Sequence, residues 1–344
     1  MGPTAATLRR QDERAVSEVM GVTMLLAMVV TTMAGVVVVL QPFMEDLTDN
    51  REWAAGSVAA TQFNDRLRVV AEAPAGTGIV VTSKHLADTI RPLRQAEIWL
   101  VSADLAGTDR VTVRIDAGMV NVTSINGTAD EVRLSTALGT DGWNLNGGEG
   151  ENTTTLSLTD WVRVDVLNAE EVVIHRWVQI PLDGIQLRTP LKGGNFEIDL
   201  INSARIEQLP GQPIDVRSFP RLHQDRTFDG GHRVSIILLD VAIIGTERHS
   251  DVSLDLSSLG AITFFDESAR NLRIETDFNG DDSPESRYLR EWTDAYDIQR
   301  STGNLDDFVG FGPSGRISGV DGMTLHPTDV TFHLDLVLQQ VVVE

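Results

Sequence analysis

The chain has no cysteine. This excludes disulfides, thiolate nucleophiles, thiolate zinc sites and lipid attachment through an N-terminal cysteine. Lysine is nearly missing as well: Lys84 and Lys192 are the whole complement, so almost all basic charge is arginine. That charge is outnumbered, 50 acids against 28 bases, for a formal net charge of −22. A surface of this sign repels phosphate backbones, and nucleic acid is not an expected partner. Dense carboxylates with little lysine fit a halophilic protein, and an acidic surface protein from a GC-rich genome would show the same balance. No Gly-Lys-Ser/Thr phosphate loop, nucleophile elbow or His-Glu-x-x-His stands in the sequence, and the seven histidines show no close ligand spacing. An enzyme is therefore not expected. Repeats are absent too. With 42% hydrophobic residues, a sizeable core is within reach.

The N-terminal segment carries the clearest signal. Val19 to Leu40 holds no charged side chain, and as a helix it would span about 33 Å against a bilayer core of about 30 Å. Arg9, Arg10 and Arg14 precede it, and Glu45, Asp46 and Asp49 follow. The positive-inside rule places the N-terminus in the cytoplasm and the bulk of the chain outside. A cleaved secretory signal fits poorly. The apolar run is too long, and a cut after Thr32-Met33-Ala34 would leave the apolar Val36–Leu40 on the mature end. A plain uncleaved signal anchor is the simpler alternative.

The residues before the run read Glu13-Arg14-Ala15-Val16-Ser17-Glu18-Val19-Met20-Gly21-Val22. This stretch resembles the class III signal peptide of archaeal type IV pilin-like proteins, of haloarchaeal type. The resemblance covers about the first 40 residues. It implies that a prepilin peptidase cuts between Ala15 and Val16, with Arg14 completing the motif, and leaves the helix on the protein. It also implies a cell-surface subunit with a structural or adhesion role, able to assemble with pilin-like subunits of its own or related kinds. Many haloarchaeal pilins carry a proline where this chain has Glu18. In the wider family a glutamate near the mature end pairs with a neighbour's new amino terminus, so Glu18 becomes a subunit-contact candidate; in low dielectric such pairing is strongly favoured over a lone carboxylate.

After the apolar run, Trp53, Gly56, Ala60, Phe63, Leu67 and Val70 follow 3-4 spacing, with Arg51, Glu52, Asp65, Arg66 and Arg68 off the stripe. The helix should therefore continue over 16–72 and stop at Pro74-Ala75-Gly76, with a kink or local melting at Pro42. Leader 1–15, helix 16–72 with its transmembrane segment at 19–40, and head 76–344 make up the expected organisation. From Gly76 onward period-2 alternation recurs, as in Val111/Val113/Ile115, Val162/Val164/Val166, Phe196/Ile198/Leu200, Val252/Leu254/Leu256 and Val330/Phe332/Leu334/Leu336. Glu97–Ser102, Val172–Ile180 and Val234–Ile244 read as more deeply buried strands. The fold class is thus α+β: a long N-terminal transmembrane and amphipathic helix, then a mainly β, sandwich-like extracellular head. A short helix is expected near Ser83–Arg94 and an exposed loop over Gly139–Thr154. Thr189–Gly194 reads either as a linker dividing the head into 76–188 and 195–344 or as a long turn within one head.

Three sequons, at Asn121, Asn126 and Asn152, are glycosylation candidates on an extracellular domain. Asp277, Asn279 and Asp281 place oxygens at alternate positions, like the start of an EF-hand-type loop that could take Ca²⁺. Asp282 replaces the glycine of that pattern and Tyr288 its final glutamate. No other cofactor is expected. Gly310–Gly315 fits G-x-G-x-x-G without a strand before it or a helix after it, and reads as a turn. The leading expectation is a pilin-like subunit. A non-polymerising, membrane-anchored extracellular binding protein comes second and an anchored extracellular hydrolase third.

Overall fold

The structure, a computed structural model, describes residues 5–82, 86–107, 109–116, 118–153, 159–226, 231–245, 248–249, 253–277, 310–313, 323–326 and 331–344. The chain forms two compact units, Met1–Ala54 and Ala55–Glu344. Helix α1 (Ala5–Ala71) begins ahead of Val16 and supplies residues to both. It stays helical at Pro42 and on either side, so the expected melting does not occur. One lost amide bond within 67 helical residues is tolerated. Helix and chain direction part at Ala71, just before Pro74.

Beyond α1 the described residues are strands and turns: β1 (Gly78–Thr82), β2 (Thr89–Asp104), β3 (Val111–Asp116), β4 (Met119–Ser124), β5 (Ala129–Thr136), β6 (Gly139–Asn144), β7 (Glu149–Thr153), β8 (Val162–Asn168), β9 (Val173–Leu191), β10 (Gly194–Ile201), β11 (Ala204–Gln208), β12 (Asp215–Ser218), β13 (Arg221–Arg226), β14 (His232–Ile243), β15 (Arg248–His249), β16 (Ser253–Asp277), β17 (Gly310–Pro313), β18 (Met323–His326) and β19 (Phe332–Val343). The main path runs β12-β11-β10-β9-β2-β16-β19-β14-β13, and β3-β4-β7 forms a separate small sheet. Pairing is antiparallel except between β14 and β19. The long strand β16 turns the corner. Its first part pairs with β1 and β19 and its last part with β2. The register slips between Arg270 and Arg273, where Asn271 takes a positive φ of 51°.

The two parts of this path face each other. Trp99, Val101, Val178, Ile180, Leu182, Ile201 and Ile206 from one side meet Val234, Ile236, Leu238, Phe265, Leu334, Leu336 and Leu338 from the other in a single apolar cluster. Of the alternating residues named from sequence, Val113, Val162, Val164, Val166, Phe196, Ile198, Leu200, Leu254, Leu256, Phe332, Leu334 and Leu336 are buried, Val111 and Ile115 are half-buried, and Val252 and Val330 lie outside the described residues. A second cluster under the small sheet gathers Val113, Val120, Val122, Val132, Val164 and Val166.

Arg176 joins the two faces. Its guanidinium bonds Asp165 on β8 at 2.5 Å, Glu267 on β16 at 2.5 Å and the Phe264 carbonyl at 2.6 Å, and it lies 5.3 Å over the Phe265 ring.

Two local expectations are corrected, and of the two readings of Thr189–Gly194 the turn within one head is the one found. Thr89–Arg94 is not helical but opens β2, because it pairs with β9 from Thr89↔Arg188 to Leu93↔Gly184 and buries Ile90. Gly139–Thr153 is not one loop: β6 folds back on β5, and β7 edges the small sheet. Glycine serves that packing, since a Cβ on Gly150 would lie 2.7 Å from Leu145 Cδ2. Thr189–Gly194 is the tip of the β9–β10 hairpin, with Leu191 paired to Gly194, and Ala55–Glu344 forms one unit around it.

Candidate functional site

The membrane-length part of α1 has an unusual surface. Every residue from Glu18 to Met44 is exposed, including Met24, Leu25, Met28, Val38 and Phe43. The stretch is long and apolar enough to cross a membrane. Its hydroxyls are turned inward. Thr23, Thr31 and Thr32 donate to the carbonyls of Val19, Ala27 and Met28 at 2.9, 2.7 and 2.6 Å, leaving no hydroxyl proton pointing outward from the rod. An apolar surface this continuous needs a cover, either lipid or other helices.

From Ala55 on, the helix is amphipathic and seated. Gly56, Ala60, Phe63, Leu67 and Val70 are buried, as the 3-4 spacing requires, while Asp65, Arg66 and Val69 stay exposed. Burying Phe63, Leu67 and Val70 contributes about 1.5–3 kcal/mol each. A Cβ on Gly56 would stand 3.6 Å from the Phe196 ring, an ordinary contact distance, so the helix lies against β10 at this point with room for a methyl group and little more.

Polar contacts fix the register. The β10–β11 turn, Asn202–Ser203, has both residues at positive φ. It presents the Ser203 carbonyl to three donors: Arg68 Nη2 at 2.5 Å, Ser218 Oγ at 3.2 Å and Asn64 Nδ2 at 3.4 Å. Ser57 donates to Glu207 at 2.8 Å, Arg205 reaches the Ser57 carbonyl and Thr61, and Arg221 pairs with Glu72 at 2.5 Å.

Behind the turn lies a buried acid that sequence reading did not single out. Glu97 has no exposed surface, and burial pushes its carboxyl up to about 8, opposed in part by the Trp99 indole and the Asn202 amide. Asn202 Oδ1 also accepts the Leu239 amide at 3.0 Å, so one side chain ties the helix seat to β14. Nearby on β14, burial raises Asp240 to about 6, although the Asp183 amide and Gln340 bond its carboxylate. Glu97 sits within a run that reads as a buried strand, and that was the available signal: an acid in such a run is either paired or neutral.

The sequence-predicted site residues fall in different places. Arg14, Ala15 and Val16 lie in the first turns of α1, where only the backbone is described; Glu18 is exposed. The sequon at Asn152 joins those at Asn121 and Asn126 around the small sheet. Asn121 is on β4, exposed on the face opposite the buried Val120 and Val122, and Thr123 Oγ1 donates to it at 3.5 Å. Asn126 is exposed in the β4–β5 turn, and its backbone amide donates to Asp109 Oδ1 at 2.8 Å. Asn152 pairs with Val120, so it shares the inward face of edge strand β7 and is half-buried.

Asp109 organises that turn. Burial opposes its charge, but hydroxyls of Ser124 and Thr128 and amides of Asn126 and Thr128 outweigh it and bring the carboxyl down to about 2. Of the calcium candidates, Asp277 ends β16, and Asn279 and Asp281 lie outside the described residues. Gly310–Pro313 is a strand, β17, paired with β18 and not the turn expected there. No protein family, curated protein or solved structure matches the chain.

Proposed function

We propose that this chain is a type IV pilin-like surface subunit, anchored in the membrane by α1 and able to assemble through it. The observation that carries the reading is α1 itself: a wholly exposed apolar length from Glu18 to Met44 and an amphipathic continuation seated on a β-rich head. On this reading a prepilin peptidase cuts after Ala15, with Arg14 and Val16 flanking the bond, and the head stays outside the cell. The new Val16 amine of one subunit then neutralises Glu18 of the next. Helices leaving lipid exchange it for the helices of self or related subunits, so the role is packing and adhesion and not catalysis.

The absence of cysteine makes a direct test possible. An added Cβ at Gly21 or Gly35 meets nothing within 4 Å, so G21C and G35C introduce single reporters without disturbing the chain. Oxidation in native membranes should link α1 to α1 of a second copy, each supplying one thiol, and filaments recovered by pull-down should carry the reporter. Reporters that never cross-link, in cells with no filament containing the chain, would leave a solitary anchored binding protein in its place.

A further inference from the structure

Two aspartates face each other across the β16–β19 pair. Asp266 is the register partner of Asp335, so both side chains leave the same face directly opposite one another, which costs stability for like charges. A bulge puts them there. The register shifts between Thr263 and Phe265, Phe264 and Phe265 are both buried, and alternation resumes with Asp266 outside.

His333, two residues before Asp335 and hence on the same face, brings Nε2 to 3.1 Å from Oδ1 of Asp266 and 3.1 Å from Oδ1 of Asp335. Arg233, opposite His333 on β14, holds the second oxygen of Asp335, Nε to Oδ2 at 2.5 Å. That grip leaves Oδ1 aimed at the imidazole.

We infer that Asp266, His333 and Asp335 form a binding site for a divalent transition metal of the zinc class. One imidazole nitrogen and two carboxylate oxygens converge, all within 4.8 Å of one another. In a tetrahedral site with bonds of about 2.0–2.1 Å, ligand atoms stand roughly 3.3–3.4 Å apart, close to the 3.1 Å separations found from Nε2. A single proton on Nε2 can be shared between the two oxygens; a dication reaches all three atoms and offsets both facing carboxylates. The nitrogen donor selects against Ca²⁺ and Mg²⁺, which take oxygen, and suits Zn²⁺, Ni²⁺ or Cu²⁺. Arg233 is the orienting group behind the ligand. The Asp266 side chain is 72% exposed, so the ion enters from solvent and the fourth position faces water. The site does not depend on how α1 is used.

The test is equilibrium dialysis against ZnCl₂ of the full-length chain in detergent micelles, stripped beforehand with EDTA and then dialysed free of the chelator, with bound and free zinc read by mass spectrometry. Variants H333A and D266N change exposed or half-exposed side chains, and circular dichroism checks that they fold. His223 is the control: it is exposed on β13, opposite Ser235, which is itself opposite Asp335, about two strand spacings or ~10 Å away on the same face. The expected result is saturable uptake of one zinc per chain, weakened tenfold or more by H333A and by D266N and unchanged by H223A. Absent uptake, or a smaller loss in either variant, overturns the assignment.

Discussion

Glu97→Gln tests the buried seat behind the helix. The native carboxyl titrates near 8 and the unfolded one near 4.5. The folded state therefore holds a proton that the unfolded state releases between these values, and stability falls as pH rises through the window. A window of about 3.5 pH units at ~1.4 kcal/mol each gives a total loss of about 5 kcal/mol between pH 4 and pH 9. At pH 8, where half the native molecules are ionised, the loss is about 4 kcal/mol. The glutamine amide keeps the shape of the protonated acid and carries no proton to lose. The variant should match the wild type within about 1 kcal/mol at pH 4.5 and exceed it by about 4 kcal/mol at pH 8. That is roughly 10 °C in melting temperature for a unit of this size. Thermal and denaturant melts of the full-length chain in detergent, taken from pH 4.5 to 9, measure both. A remaining slope between pH 4 and 6 is expected from Asp240, which is raised the same way. If E97Q keeps the wild-type slope from pH 6 to 8, Glu97 is not the titrating group and the description of the seat is wrong.

Phe63→Ala removes the largest buried side chain of the helix stripe; the loss should be about 3–5 kcal/mol by denaturant melts, with earlier proteolysis between Ala55 and Ala71. Arg176→Ala leaves Asp165 buried without its main partner and should cost about 3–5 kcal/mol, while the pair R176M/D165N should recover most of that in a double-mutant cycle. For Asp109 the sign is opposite to that of Glu97. Its folded carboxyl sits near 2, so its contribution is present above pH ~4 and lost as pH falls toward 2. D109N should flatten acid unfolding in that range and lower stability at pH 7, both read from melts against pH.

Much of the architecture was legible because periodicity reports burial directly. The 3-4 spacing from Gly56 to Val70 named the seated face of α1, and period 2 named the inward residues of β8, β10 and β19. The failures share a cause. Thr89–Arg94 alternates poorly because Arg91, Pro92 and Arg94 interrupt it, and only pairing with β9 makes it a strand. β6 and β7 carry one apolar side chain between them, Trp143, so no alternation signals their pairing. The site chemistry is non-local. Asp266 and His333 lie 67 residues apart, and a bulge decides which face Asp266 takes. Glu97 owes its shifted proton to burial, and the strands that bury it, such as β9 where Leu182 is its register partner, are distant in sequence.

The central claim concerns the N-terminus, and intact-mass measurement of the protein purified from its own cells tests it most directly. A mature chain beginning at Val16, with the apolar helix retained, is the predicted result. An intact Met1, or a chain beginning at Gly35 with most of that helix removed, would contradict the account.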